Sequence, residues 1–138
     1  NMIKKEAAKK NISIEVEKKF NGLLVGDKDK FYQVVLNLTT NSIKYSNENG
    51  NVKIFTNKSK DKFVLMVKDD GIGIPKEDLP RIFERFYIVD KSRTSKSTGL
   101  GLAIVKHIVK LFNGEIFVES EVGKGSKFTV ISKNVYCE

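Results

Sequence analysis

The hydrophobic period of this chain changes at "NENGN", Asn47 to Asn51, and that change limits what it can fold into. Before it, from about Lys28 to Ser46, the spacing is helical. Phe31, Val34, Val35, Leu38 and Ser42 form one face, with Leu36 and Ile43 beside it. After it, Val52–Thr56 and Phe63–Val67 alternate as half-buried strands do, and the polar "NKSKD" between them predicts a hairpin. A second helical segment, Gly99–Phe112, ends at Asn113-Gly114 and precedes two more alternating stretches, Glu115–Ser120 and Ser126–Ser132, joined by "EVGKG". Ile12–Val16 reads as a further strand. "GLLVG" is a short apolar run ended by Asp27, a candidate N-cap. Met2–Lys10 is a charged short helix or leader, Leu79–Tyr87 a short amphipathic segment, and Ile88–Thr98 a polar loop without periodicity. The pattern predicts an α+β chain, hairpins in one layer and about three helices on the other, with residues 1–138 as one domain.

Composition narrows the function classes. With 40% hydrophobic and 30% charged residues the chain can bury an ordinary core. No apolar run approaches the roughly 20 residues of a membrane span, and no secretory signal is visible. The single cysteine, Cys137, cannot form an internal disulfide and reads as an inert tail residue in a reducing cytoplasm. A net charge of +8 raises nucleic acid as a partner. The lysines, however, are spread along the chain and do not surround aromatic platforms. A solvated Lys-rich surface is therefore the better reading, with nucleotides open as small acidic ligands.

Three stretches are candidates for chemistry, and each has a bland alternative. Gln33, Asn37, Asn41 and Lys44 form one stripe of the long helix, with Tyr45 beside its end. The stripe is either a solvated face or the wall of a cleft, its amide oxygens aimed at a hard cation and its ammonium at an anion. "DDGIGIP" places Asp69 directly after a strand and is either a capped turn or a pocket floor where the carboxylate accepts from an amino group. "STGLGLAIVK" opens a helix with Gly99 and Gly101, whose free N–H groups suit phosphates. It fits neither the dinucleotide fingerprint, since Ile104 stands where the third small residue belongs, nor a Walker A loop.

Taken in order, "NLTTNSIKYS", "DDGIGIP", "LPRIFERFYIVD", "STGLGLAIVKHIVKLFNG" and "ESEVGKGSKFTV" resemble the N, G1, F and G2 boxes and the final glycine pair of the catalytic, ATP-binding domain of bacterial sensor histidine kinases. The resemblance runs from about Ile12 to Ile131. It implies a two-layer α/β sandwich of Bergerat type, a mixed sheet of about five strands against three helices, with ATP under a flexible lid. It implies Mg²⁺ on Asn41, with Asn37 near metal and phosphates, Lys44 on phosphate and Tyr45 against adenine, Asn37 and Lys44 being the catalytic pair. Asp69 would hold the adenine amino group, with Gly71, Gly73 and Ile74 shaping the floor. Thr98, Gly99, Leu100, Gly101 and Leu102 would carry the lid hinge and the phosphate-facing helix end. Phe83 and Phe86 would pack at the lid base and toward the partner helices. The basic residue that often follows the family's "FY" is Ile88 here, leaving Arg85, Lys91, Arg93 or Lys96 as substitutes.

The implied partners are ATP or ADP, the phosphoacceptor and dimerisation domain, and a response regulator, with no nucleic acid. The implied setting is the cytoplasmic part of a sensor anchored in a membrane, of which this chain is a fragment. His107, the one histidine, reads as a helix surface residue and not as the acceptor. The alternatives are an ATP-hydrolysing relative of the gyrase or MutL type, a serine kinase with the same pocket, and a non-catalytic binding module. Hydrolysing relatives carry a Glu one turn before the metal asparagine, and that place here is Asn37.

Overall fold

The computed structural model describes residues 2–19, 22–24, 28–59, 61–89, 99–132 and 135–137. The first helix, α1 (Met2–Lys9), leads into strand β1 (Ser13–Lys18), followed by the short β2 (Gly22–Leu24). The long helix α2 covers Lys28–Tyr45, and the hairpin follows as β3 (Asn51–Ser59) and β4 (Lys62–Asp69). Helix α3 (Gly101–Leu111) precedes β5 (Gly114–Glu121), β6 (Gly125–Ser132) and β7 (Val135–Cys137).

Five strands form one mixed sheet in the order β1-β3-β4-β6-β5. Only β1 and β3 run parallel, because α2 carries the chain back over the sheet between them. The expected fold class is therefore what forms. Alternation sets the buried face: Phe63, Leu65, Val67 and Asp69 of β4 point toward the helices, as do Phe128 and Val130 of β6. Val34, Leu38 and Ile43 of α2 and Val105, Ile108 and Val109 of α3 cover them. Each such side chain contributes about 1.5–3 kcal/mol on burial. Phe31 meets Phe63 edge-on at 5.5 Å, and Phe83 meets Phe128 at 6.4 Å. Leu38 and Phe128, both fully buried, fix α2 across the central strands, so the polar stripe of α2 lies along the margin of the core.

Two expectations need correction, and the form of a third segment becomes clear. The short amphipathic Leu79–Tyr87 segment is a 3-10 turn at Leu79–Arg81 followed by turns, with Ile82 buried and Glu84 and Arg85 exposed. Pro80 sits in its first turn, and Phe86 adopts φ 66°, which no helix continues through. The second helix begins at Gly101, not Gly99, because Gly99 has φ 72°. Cys137 lies in β7, which pairs with β2 in a separate two-stranded sheet, Gly22 opposite Cys137. The Asp27 cap lies outside the described residues.

Candidate functional site

A cleft of about 230 Å³ opens where the C-terminal half of α2, the end of β4 and the start of α3 converge. Helical spacing brings Asn37, Asn41, Lys44 and Tyr45 into one wall, while Val34, Leu38 and Ser42 on the adjoining face hold that wall against the sheet. Gln33, at the far end of the stripe, is exposed and not part of the wall. Asn37 Nδ2 donates to the Gly101 carbonyl at 3.4 Å, which ties α2 to the first residue of α3 and leaves Oδ1 as the acceptor of that amide.

Asp69 is the last residue of β4 and only 4% exposed. Burial pushes its carboxyl pKa up, and the Gly71 N–H bond to Oδ1 at 2.9 Å offsets this only in part. Its neighbour Asp70 faces outward and accepts from the Asn51 N–H at 2.9 Å and Nδ2 at 3.1 Å, which hold its pKa down. The pair "DD" is thus split by the pleat into one turn-fixing carboxylate and one cleft carboxylate.

The glycines divide by what demands them. A Cβ on Gly71 would lie 2.2 Å from the Tyr45 carbonyl oxygen. On Gly73, at φ 77°, it would lie 2.2 Å from that of Glu121. The fold requires both. Gly101 has an ordinary φ, and a Cβ there would meet nothing within 4 Å. Its open front faces the cleft, and no side chain caps the N-terminus of α3. The first-turn N–H groups and the positive end of the helix dipole therefore present an anion seat.

Ten of the expected residues line the cleft: Asn37, Asn41, Lys44, Tyr45, Asp69, Gly73, Ile74, Gly99, Gly101 and Leu102. Gly71 stands behind it, Leu100 is the N-cap of α3, and Arg85 is exposed and off the lining. Thr98, Lys91, Arg93 and Lys96 lie outside the described residues. Phe83 packs on Phe128 beneath Lys106, while Phe86 is 72% exposed. Ile88 is half-buried, and it is Val89 that reaches the lining. His107 is exposed on α3, outside the cleft.

Sequence reasoning missed Thr40, Ile82, Tyr87, Val89 and Ser126. Ser126 opens the predicted Ser126–Ser132 strand, but its place opposite Asp69 comes from the β4–β6 register, which the sequence pattern does not encode. Tyr87 bonds Asp78 through its hydroxyl and carries the Arg81 guanidinium 4.4 Å from its ring centre. Nothing in the periodicity encodes that contact.

The arrangement suits Mg²⁺, which takes one or two protein oxygens and completes its shell with water and phosphate. Two amides face the cleft, and no cluster of three acidic, His or Cys ligands occurs among the described residues. A cleft that joins apolar Ile74, Ile82, Val89 and Leu102 to a buried carboxylate, an amide pair, a lysine and a helix N-terminus has the chemistry a nucleotide site needs.

Residues 26–134 match the family described as histidine kinase-, DNA gyrase B- and HSP90-like ATPase. The chain belongs to this family. Within it, the chain is similar to sensor histidine kinases. The chain is 48% identical over 107 residues to the sensor histidine kinase WalK of Bacillus subtilis (strain 168), covering 75% of this chain and 18% of that protein. It is 36% identical over 137 residues to YclK of the same strain, covering 91% and 29%. Among solved structures, the catalytic domain of the histidine kinase ThkA superposes with TM-score 0.82 at 27% identity, over 96% of this chain and 86% of that one. Full-length ShkA in complex with AMPPNP superposes with TM-score 0.85 at 26% identity, over 99% and 29%. The chain is thus an ATP-binding catalytic domain of histidine-kinase type, spanning under a third of the length of these two curated relatives. No helix among the described residues is long and apolar enough to cross a membrane.

Proposed function

We propose that this chain is the single catalytic domain of a longer two-component sensor kinase and passes the ATP γ-phosphoryl group to a histidine on a separate dimerisation domain. The observation that carries the proposal is Asn37. It stands in the cleft one turn before Asn41, where a hydrolase would need a carboxylate to activate water, and Asp69 is the only acid among the described lining residues. A cleft without a base for water favours a nucleophile that arrives on a partner.

In this reading Asp69 accepts from the adenine amino group, and Tyr45 and Ile74 pack on the ring. Asn41 holds Mg²⁺, with Asn37 beside it. Lys44 and the N–H groups from Gly99 to Leu102 receive the phosphates. Bound Mg²⁺ would neutralise charge on the transferring phosphoryl group. The chain's own residues position the donor, so that an imidazole nitrogen can attack phosphorus in line as ADP leaves. Thr98 and a lid cation complete this reading, Arg85 being placed too far out in this conformation to be assigned. A response-regulator aspartate is the onward acceptor. The setting is cytoplasmic, in a membrane-anchored parent, and the +8 charge serves the nucleotide and not nucleic acid.

Calorimetric titration with Mg-ATP tests the pocket, with micromolar-range affinity expected and lost in Asn41→Ala. Mixing the domain with the dimerisation domain of its parent should then yield acid-labile phosphohistidine on the latter. Salt-sensitive DNA binding without ATP binding would defeat the proposal.

A further inference from the structure

Four backbone carbonyls at a helix C-terminus have no partner within the helix. At the end of α2 these groups are met from outside in an uneven way. The Tyr45 carbonyl accepts from the Ile72 N–H at 3.1 Å, and the Ser42 carbonyl from the Ser46 hydroxyl at 2.7 Å. The remaining two, of Ile43 and Lys44, converge on one cation together with the carbonyl of Ser46 just past the helix. Lys10 Nζ donates to the carbonyls of Ile43 at 3.0 Å, Lys44 at 2.6 Å and Ser46 at 3.1 Å. An ammonium has three donors, and here each finds a carbonyl at the negative end of the helix dipole. The half-buried Lys10 is fixed in turn by its backbone. Its carbonyl accepts from the Asn49 N–H at 2.8 Å, and Asn11 Nδ2 donates to Asn49 Oδ1 at 2.7 Å.

Lys44 and Tyr45, the residues whose carbonyl region Lys10 and Ile72 hold, are the last two cleft residues of α2. We infer that Lys10 is a positioning residue for nucleotide binding: its ammonium locks the final turn of α2 and so sets Lys44 and Tyr45 in the cleft. The inference rests on the reading of this cleft as the ATP site. It makes affinity depend on a residue just after α1 that lines no part of the cleft.

The test compares Mg-ATP affinity, by calorimetry well below the melting temperature, in wild type, Lys10→Met, Lys10→Arg and Ile116→Ala. Met keeps the apolar stem and removes the three donors. Arg keeps the charge but presents a planar fork. Ile116, on β5, packs against the core without lining the cleft and serves as a destabilised comparator. Lys10→Met should weaken binding about tenfold, a loss expected for charge-assisted bonds of this kind. Lys10→Arg should recover part of it, and Ile116→Ala should melt earlier with affinity unchanged. Equal affinity in wild type and Lys10→Met, or an equal loss in Ile116→Ala, overturns the inference alone. A wild type that binds no ATP overturns the functional reading and this inference with it. Wild type also carries a reciprocal test that does not depend on a variant folding. Coupling requires Mg-ATP to slow acylation of the Lys10 amine, and an unchanged rate under saturation counts against the role.

Discussion

Asp69 is the residue whose stability and function pull in opposite directions. Burial raises its pKa above the ordinary value of 3.8, so the folded domain keeps a proton that the unfolded chain releases. Its ionisation therefore costs stability, beginning as pH rises past 3.8 and complete above the raised folded value. Asp69→Asn removes that cost, and the amide oxygen can still accept from Gly71. Thermal melts at pH 7 should show Asp69→Asn as stable as wild type or more so, while its Mg-ATP affinity falls on the order of 10- to 100-fold. A variant that melts earlier would mean that the carboxylate serves the fold. The same shift gives wild type a pH signature: ATP affinity should decline as pH falls into the raised range of Asp69, and Asp69→Asn should lack that decline. Legibility also varies residue by residue. Spacing alone put Asn37 and Asn41 on one helix stripe and Asp69 at a strand end, each with a bland alternative, and it was the order of the five motifs that grouped them into the cleft they line. Tyr87 was not readable, because its place depends on Asp78 and Arg81 across a turn that no period describes.

Among the elements, α2, α3 and the β3–β4 and β5–β6 hairpins carry the architecture, and each contains a helical or alternating run of five or more residues that the sequence displays. The pieces that escaped the sequence are those whose form comes from contacts alone. The β2–β7 pairing joins three-residue strands from distant parts of the chain, too short to carry a pattern. The left-handed Phe86 donates its N–H to the Gly99 carbonyl at 2.9 Å, a contact across the chain that no period encodes. The start of α3 lends itself to a sharper experiment. Since a Cβ on Gly101 meets nothing, Gly101→Ala should keep or raise stability, by up to about 1 kcal/mol for replacing glycine in a helix. It should nonetheless weaken ATP binding, because the methyl group occupies the front of the anion seat. Gly73→Ala should instead cost about 1–3 kcal/mol from strain at positive φ and the clash with the Glu121 carbonyl. Denaturant melts of both variants beside ATP titrations decide the matter. If Gly101→Ala binds ATP as wild type does, the phosphates do not approach the backbone of α3.

At the scale of the whole molecule, the cleft, the lack of a second acid among its described lining residues and the position of His107 all favour the proposed division of labour. The imidazole of His107 is exposed on α3 and lies outside the lining, so a phosphoryl donor held between Asn41 and Gly101 does not face it within one chain. Under the proposed function, such a domain binds its donor and leaves it unreacted until an acceptor docks. The isolated chain, incubated with γ-labelled ATP and Mg²⁺, should therefore retain almost no acid-labile label and release phosphate near the uncatalysed rate. His107→Ala should change neither result. Adding the dimerisation domain should place label on that partner, at a rate that saturates with partner concentration, and Asn41→Ala should abolish the transfer. Strong self-labelling lost in His107→Ala would move the acceptor into this chain. Rapid phosphate release without any acceptor would instead mean that water reaches the γ-phosphate and is activated there. In that case a carboxylate outside the described lining must act as the base, and Asn37 would no longer distinguish a kinase from a hydrolase.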